Sequence, residues 1–596
     1  MKHIDSTINR LQQMLLAESN KKGYWSGGLS SSALSTATAV FALAAVDKKA
    51  YESYIDSGIE WLINNRNPDG GWGDTTKSKS NLSTTLLVYS AMTVSPQNQD
   101  VLDACENYIK KITDSLDPEN IVKSVLKTYG TDRTFSIPIL TMCALAGRLG
   151  EDGWKYLQGL PFELAMLPQK WFKWLNLPVV SYALPALIAI GQVGFYHHPP
   201  ANPIPRIIRS RSRVKTLNVL ADIQPDNGGF LEATPLTSFV LMSLANCGQK
   251  DHAASRKAVK FLLASQRTDG SWPIDTNLAT WVSTMAVQAL GPELISDTRQ
   301  KFILAWLLNQ QHRNIHPYTM ADPGGWAWTD LPGGVPDADD TPGALMALRI
   351  LDPDGKYSLD AVEAAISWLF GLQNRDGGIP TFCRGWGKLP FDKSCTDLTA
   401  HAIAAWAVWK PYIDKSLQAS VSKAMHKGLN FLRKAQRPDG SWAPLWFGNE
   451  HVENMENPVY GTAKVLSHLT RMKSDELLPI KKTIKNGINW LLEVQKENGT
   501  WGGDKNAPVT IEETALALDA VASCAVLESF SDDSGEETKR SLLKGTEALT
   551  EMINKHDNLP ASPIGLYFAR LWYHEKLYPL IFSLSALRKV RQAVQK

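Results

Sequence analysis

The sequence predicts an all-α chain assembled from repeated helix pairs. Three observations carry that expectation. First, a segment with helical apolar periodicity recurs, each copy closing on a Gln or Asn and a polar turn: GIEWLINNRNPDGGWGD (58 to 74), AVKFLLASQRTDGSWP (258 to 273), GLNFLRKAQRPDGSWA (428 to 443) and GINWLLEVQKENGTWGG (487 to 503). LNVLADIQPDNGGF (217 to 230) and AISWLFGLQNRDGGIP (365 to 380) are weaker copies in which Phe230 and Ile379 replace the tryptophan. Second, each turn leads into another apolar helix opened by Ser, Thr or Asp, as in NLSTTLLVYSAM and DLTAHAIAAWAV. Third, no set of alternating strands competes. Recurrence at roughly 40 to 65 residues marks stacked supersecondary units. Helix pairs of this kind either stack as an open solenoid or close into a ring; a large ring leaves a central cavity suited to a bulky ligand.

Along the chain, the first element is an amphipathic helix with Ile4, Ile8, Leu11 and Leu15 on one face, lacking the continuous apolar core of a signal peptide. The repeats follow. PDG or ENG ends each first helix with turn chemistry, and the tryptophan and glutamine are expected to tie one helix end to its neighbour by stacking and hydrogen bonding. Between repeats, WLNLPVVSYALPALIAIGQVGFY (174 to 196) carries no charge and contains Pro178 and Pro185. It approaches the ~20 apolar residues of a membrane span but reads first as a buried helix, then as a membrane-facing patch. IPRIIRSRSRVK (204 to 215) is the one basic cluster, either a solvated surface or a contact for lipid headgroups.

The bulk properties set limits. A chain of 596 residues holds roughly two to four domains. Its 62 basic and 60 acidic residues nearly cancel, which excludes a general attraction to nucleic acid. The six scattered cysteines form no CxxC pair, so neither a disulfide framework nor a zinc ribbon is indicated, and a reducing cytosol fits best.

PGGVPDADDTPGALMAL (332 to 348) places three acids, Asp337, Asp339 and Asp340, at the mouth of an apolar helix. Three readings are open. Asp340 or Thr341 caps the helix; the carboxylates hold a divalent metal; or one acid keeps its proton. Capping accounts for one acid, not three, and no second metal motif accompanies them. Adjacent, partly buried carboxyls raise one another's pKa, and a neutral carboxyl facing an apolar cavity can protonate an alkene. The resulting carbocation needs π-faces, and the chain has 20 Trp, 16 Tyr and 17 Phe.

At this point the chain resembles the squalene–hopene cyclase family, the prokaryotic class II terpene cyclases. The Gln…Gly-x-Trp repeats resemble its QW motifs, Asp337-Ala338-Asp339-Asp340-Thr341 its DxDDT signature, CTDLTAH (395 to 401) its DxTAH segment and GGWAW (324 to 328) its aromatic strip. The resemblance implies two (α/α) barrel domains enclosing a central hydrophobic cavity: residues 1–22 and 311–596 forming the barrel with the acid motif, and 23–310 the second. It makes Asp339 the catalytic acid, flanked by Asp337 and Asp340, His401 its hydrogen-bond partner, and Asp397 the acid behind that histidine; the Asp-x-x-x-His spacing puts the last two on one helical face. Trp326, Trp328, Phe382, Trp446, Tyr182, Tyr460 and Tyr567 fall on the family's aromatic positions around the substrate. Glu232 is an acidic candidate at the termination end.

The sequence also departs from the family. Ser35 and Ala37 stand where hopene formers carry glutamates, and the segment from 197 to 230 is short. The acid end is thus expected to be intact and the far end altered. The implied function is a cofactor-independent class II cyclase, with no metal, that protonates a terminal alkene or epoxide of a linear polyprenyl substrate. Squalene giving a hopanoid-like product is favoured over a prenylated aromatic giving a meroterpenoid. Expected partners are the apolar substrate, a membrane surface touched from one side and a second copy in a homodimer, with no nucleic acid. The expected location is cytoplasmic, peripheral on the inner face of the membrane. A protein prenyltransferase β-subunit would need an Asp-x-Cys zinc site that does not stand out, a non-catalytic repeat protein gives no reason for three acids beside a tryptophan pair, and no diphosphate pocket is identifiable.

Overall fold

The computed structural model describes residues 2–95, 98–130, 133–168, 171, 183–317, 319–382, 392–526, 535–566 and 570–595. Its regular structure is helical, and the strands among the described residues are only two or three residues long.

The repeat explains why. In each unit the indole N–H of the turn tryptophan donates to a carbonyl at the end of the preceding helix: Trp72 to Leu62, Trp272 to Leu262, Trp442 to Leu432 and Trp501 to Leu491, at 2.8 to 2.9 Å. These carbonyls are among those a helix end leaves without an internal partner. The glutamine amide bridges outward. Gln436 donates to Gly440 O in its own turn and to Thr483 O in the next outer helix, both at 2.8 Å; Gln495 does the same with Gly499 and Ser541. A third element was not read from the sequence: the tryptophan's backbone N–H donates to a threonine hydroxyl one helix on, Thr85, Thr36, Thr462 and Thr514 in turn. The turn glycine lets two backbones meet. Gly440 has φ +96°, and a Cβ there would lie 2.6 Å from the Asn486 carbonyl oxygen. Each indole is fully buried, and burial of a large apolar side chain contributes about 1.5–3 kcal/mol.

The units close into two rings. In the first, helices Ala279–Leu290, Asp340–Leu351, Thr396–Trp409, Pro458–Leu469, Ile511–Ala525 and Tyr578–Gln595 pack in succession, and the last returns to the first. Their partners, Asp297–Asn309, Leu359–Leu372, Lys415–Ala435, Lys481–Glu493, Gly535–Asn554 and the N-terminal Lys2–Ala17, form the outer layer. In the second ring, Ala33–Asp47, Leu82–Ala91, Arg133–Leu145, Leu184–His197 and Thr234–Ala245 pack in order, and the last returns to the first. Gln266 closes its outer layer, donating to Tyr54 O at 3.0 Å across more than two hundred residues. Ring closure decides against the open solenoid.

The ring membership differs from the division at 310/311. Helices Ala279–Leu290 and Asp297–Asn309 belong with the acid-bearing ring, where Trp281, Val282, Ile303 and Leu307 join its core. The repeat ending at Trp272 belongs to the second ring, so the changeover falls just after it. Ile8, Leu11 and Leu15 of the N-terminal helix are buried against the acid-bearing core, with Ile4 partly so.

Candidate active site

The three acids divide their work by helix geometry. Helix Asp340–Leu351 begins one residue after Asp339, yet neither Asp340 nor Thr341 caps it. Asp337 does: its Oδ1 accepts the backbone N–H of Asp339 at 2.8 Å and of Asp340 at 2.7 Å. Thr341 is the repeat threonine, accepting from Trp326 N at 3.0 Å. Asp339, relieved of capping, presents Oδ1 to His401 Nδ1 at 2.7 Å. Its side chain is 19% exposed where that of His401 is 4%, and the surface it shows lines a cavity. Burial pushes Asp337 above the usual carboxylate range. Burial and then the charge of Asp337 push Asp340 well above it. Both shifts favour protonation, which reduces the negative charge on the pair beneath Asp339.

The cavity holds about 350 Å³ and reaches from the acids between the rings to Leu34, Leu87, Pro138 and Phe239 of the second ring. Around the acids its wall is aromatic. Phe382 stands between two tryptophans, 5.9 Å from Trp328 and 5.4 Å from Trp446 between ring centroids. The Trp328 indole N–H is fixed by Asp275 Oδ2 at 3.1 Å. Trp281, Tyr573 and Tyr578 complete this end. The Trp281 N–H donates to Tyr578 Oη at 3.0 Å, and the two tyrosine hydroxyls are 3.0 Å apart. A strip of sheet supplies more wall: Phe447 pairs with Leu566 and Leu566 with Leu571, and all three face the cavity. Behind the acid, the His401 ring stacks on His468 at 4.2 Å and meets the edge of Trp281 at 6.5 Å.

Asp339, Asp337, Asp340, Trp328, Phe382 and Trp446 therefore converge on one chamber, with His401 behind it. Four of the expected site residues lie off the cavity wall. Trp326 is a repeat tryptophan: it is fully buried, its indole N–H donates to Leu307 O at 2.8 Å, and Gln311 donates to Gly324 O and Ala361 O. Twelve residues between that glutamine and its glycine hide the repeat in the sequence. Glu232 lies off the cavity wall, neither at the surface nor facing substrate. Its buried carboxylate accepts from Asn227 and from Gly333 N, each at 2.7 Å. Asp397 accepts the Cys395 thiol at 2.8 Å rather than backing His401, whose Nε2 has no hydrogen-bond partner among the described residues. Tyr460 is buried behind Phe447, 4.9 Å between rings, within reach of the charge of Asp339 but off the wall. Tyr182 and Tyr567 lie outside the described residues. Ser35 is buried one residue from Leu34, which faces the cavity instead.

An acid aimed into an aromatic chamber can place a proton on a weakly basic carbon and shelter the cation that results. Residues 278–592 match the squalene-hopene cyclase C-terminal domain and residues 8–110 the N-terminal domain. The chain belongs to the squalene–hopene cyclase family. As a member it is an enzyme, a class II terpene cyclase. Squalene–hopene cyclase of Alicyclobacillus acidocaldarius is 23% identical over 540 residues, covering 78% of each chain. Enfumafungin synthase of Hormonema carpetanum is 24% identical over 574 residues, 80% of this cyclase but 40% of that longer protein. Among solved structures, ent-copalyl diphosphate synthase from Streptomyces platensis superposes over 99% of both chains with a TM-score of 0.60 at 16% identity, a likeness of fold.

Proposed function

We propose that this cyclase protonates the terminal alkene or epoxide of a linear polyprenyl substrate through Asp339 and drives a cationic polycyclisation. The observation that carries the reading is that, of the three acids lining the aromatic chamber, Asp337 and Asp340 are buried while Asp339 keeps an exposed surface, with His401 on its other face. His401 holds the carboxyl in one orientation. The carboxyl's proton passes to the alkene carbon, and the next double bond of the folded chain attacks the cation as it forms. Trp328, Phe382, Trp446 and Trp281 offer π-faces to positive charge as it migrates, an attraction worth about 0.5–2 kcal/mol per face, realised chiefly in the transition states. The enclosed wall folds the chain and excludes water until a base, water or a substrate nucleophile ends the cascade.

Two substrates fit this chemistry. Squalene, giving a hopanoid-like polycycle, is supported by the name and coverage of the Alicyclobacillus relative. A prenylated aromatic is supported by a polar group in the wall, Arg570. Incubating the purified protein with squalene, oxidosqualene and prenylated phenols, with product mass spectrometry, tests the reading. Turnover by wild type and none by a folded Asp339→Asn variant is expected; undiminished cyclisation by that variant sinks it.

Such a substrate reaches the enzyme from a bilayer, so peripheral binding to the inner face of the membrane belongs to the proposal. Helix Pro203–Ile223 supports it by exposing Ile204, Ile207, Ile208 and Val214 beside Arg206, Arg211 and Lys215, an interfacial pattern. No described helix is long and apolar enough to cross a membrane.

A further inference from the structure

Among the described residues that line the cavity, Arg570 is the one lysine or arginine. It directly precedes strand Leu571–Tyr573, which pairs with Ile564–Leu566, and Leu566, Leu571 and Tyr573 share the wall with it. Its φ of +50° is a left-handed conformation that a non-glycine side chain adopts at a cost. A guanidinium carries five N–H donors in a planar fork. Nη1 donates to the thioether of Met455 at 3.7 Å, a weak acceptor. The three motif acids are engaged elsewhere: Asp339 with His401, Asp337 with its own helix, and Asp340 with Asp337.

A fixed cation is a poor wall for a reaction whose intermediates are carbocations, because like charges in a low-dielectric chamber repel. A pure hydrocarbon would worsen matters by desolvating the guanidinium and offering it no acceptor. Both conflicts disappear if the substrate brings an anion. We propose that Arg570 is an anion-binding subsite of the cavity, and that the substrate is a polyprenyl chain bearing an acidic oxygen head group, a carboxylate or a diphosphate. The inference rests on the reading of Asp339 as the initiating acid. The planar fork accepts either head group in two parallel hydrogen bonds. The ion pair neutralises the cation on the wall and fixes one end of the chain, so that binding far from the reacting carbon orients the alkene at Asp339.

The test uses the full chain with four substrates: a geranylgeranylated benzoic acid, its methyl ester, geranylgeranyl diphosphate and squalene. Wild type is expected to convert an acidic substrate with kcat/KM roughly ten- to a hundredfold above the ester, the factor of a charge-assisted hydrogen-bond pair. Arg570→Leu loses that factor mainly through KM, so that acid and ester are handled alike; Arg570→Lys restores part of it. The carboxylate and diphosphate arms separate the two head groups. Wild type that handles the ester or squalene as well as the acids, or Arg570→Leu that keeps the preference, overturns the assignment. Calorimetric binding of acid and ester to Asp339→Asn reads the subsite without turnover. Equal affinities there sink the Arg570 proposal and leave the cyclase reading standing; turnover by Asp339→Asn sinks the cyclase reading and leaves the subsite to be judged by binding.

Discussion

In the proposed mechanism initiation turns on the contact between Asp339 and His401. The imidazole touches one carboxyl oxygen at 2.7 Å, and in that proposal it sets both the direction of the acid and the charge it leaves behind. His401→Ala removes that partner and opens a void beside His468 and Trp281. General acid–base contacts of this kind contribute about 10²- to 10⁴-fold, so single-turnover kinetics should slow by at least the lower figure with substrate binding little changed; a rate within threefold of wild type refutes the role. The acid motif was legible in the sequence because three carboxyls in four positions exceed what a cap requires. Their separate duties were not, since only the helix start shows that Asp337 takes the cap and frees Asp339. Trp281, Tyr573 and Tyr578 were not legible in the sequence: the two tyrosines lie in an aromatic-rich stretch, and Trp281 is a lone ring in an apolar helix. Nothing in their spacing distinguishes a cavity-facing ring from a packed one.

At the scale of the element, the repeat separates residues that look alike. Trp326 and Trp328 are two positions apart in GGWAW, yet one closes a repeat and the other faces the cavity. Trp326→Phe leaves the Leu307 carbonyl without its donor and should cost about 1–3 kcal/mol of stability in denaturant unfolding, with the product pattern unchanged. Trp328→Phe keeps a π-face but loses the bond to Asp275. It should shift the product distribution by chromatography at little cost in stability. Identical phenotypes would refute the division. Helix, turn and glutamine were legible because each has a local sequence signature. The threonine that receives the tryptophan N–H was not, because it lies on the next helix, at Thr36 for Trp272, far away in sequence. That helices Ala279–Leu290 and Asp297–Asn309 pack with the acid-bearing ring was likewise not legible, because it rests on contacts between helices and not on a local signature.

At the scale of the whole molecule, the two rings are joined by buried carboxyls that accept backbone N–H groups across the junction. Glu232 takes Gly333 N at 2.7 Å, Asp74 takes Trp572 N at 2.8 Å, and Glu575 takes Gly28 N at 2.7 Å. Burial raises all three above the ordinary carboxyl range, Glu575 to about 7. For a raised acid the folded state holds its proton while the unfolded chain releases it. Stability from such a group is therefore greatest below the unfolded pKa, falls as pH rises from about 4.5 toward 7, and levels off above. Buried His312, His316 and His574, lowered to about 4, act oppositely: their contribution is lost as pH falls from about 6.5 toward 4. The two sets compensate in mildly acidic solution, so the wild-type curve alone does not isolate the junction. Glu575→Gln does. Its Oε1 can still accept the Gly28 and Leu577 N–H groups that Glu575 holds, but it no longer titrates. The Tm of the variant relative to wild type should rise between pH 5 and pH 7 and then stay flat to pH 8, by about 2 °C for a protein of this size. A difference that does not change with pH would mean that Glu575 is ionised throughout and that the junction is held by charge alone.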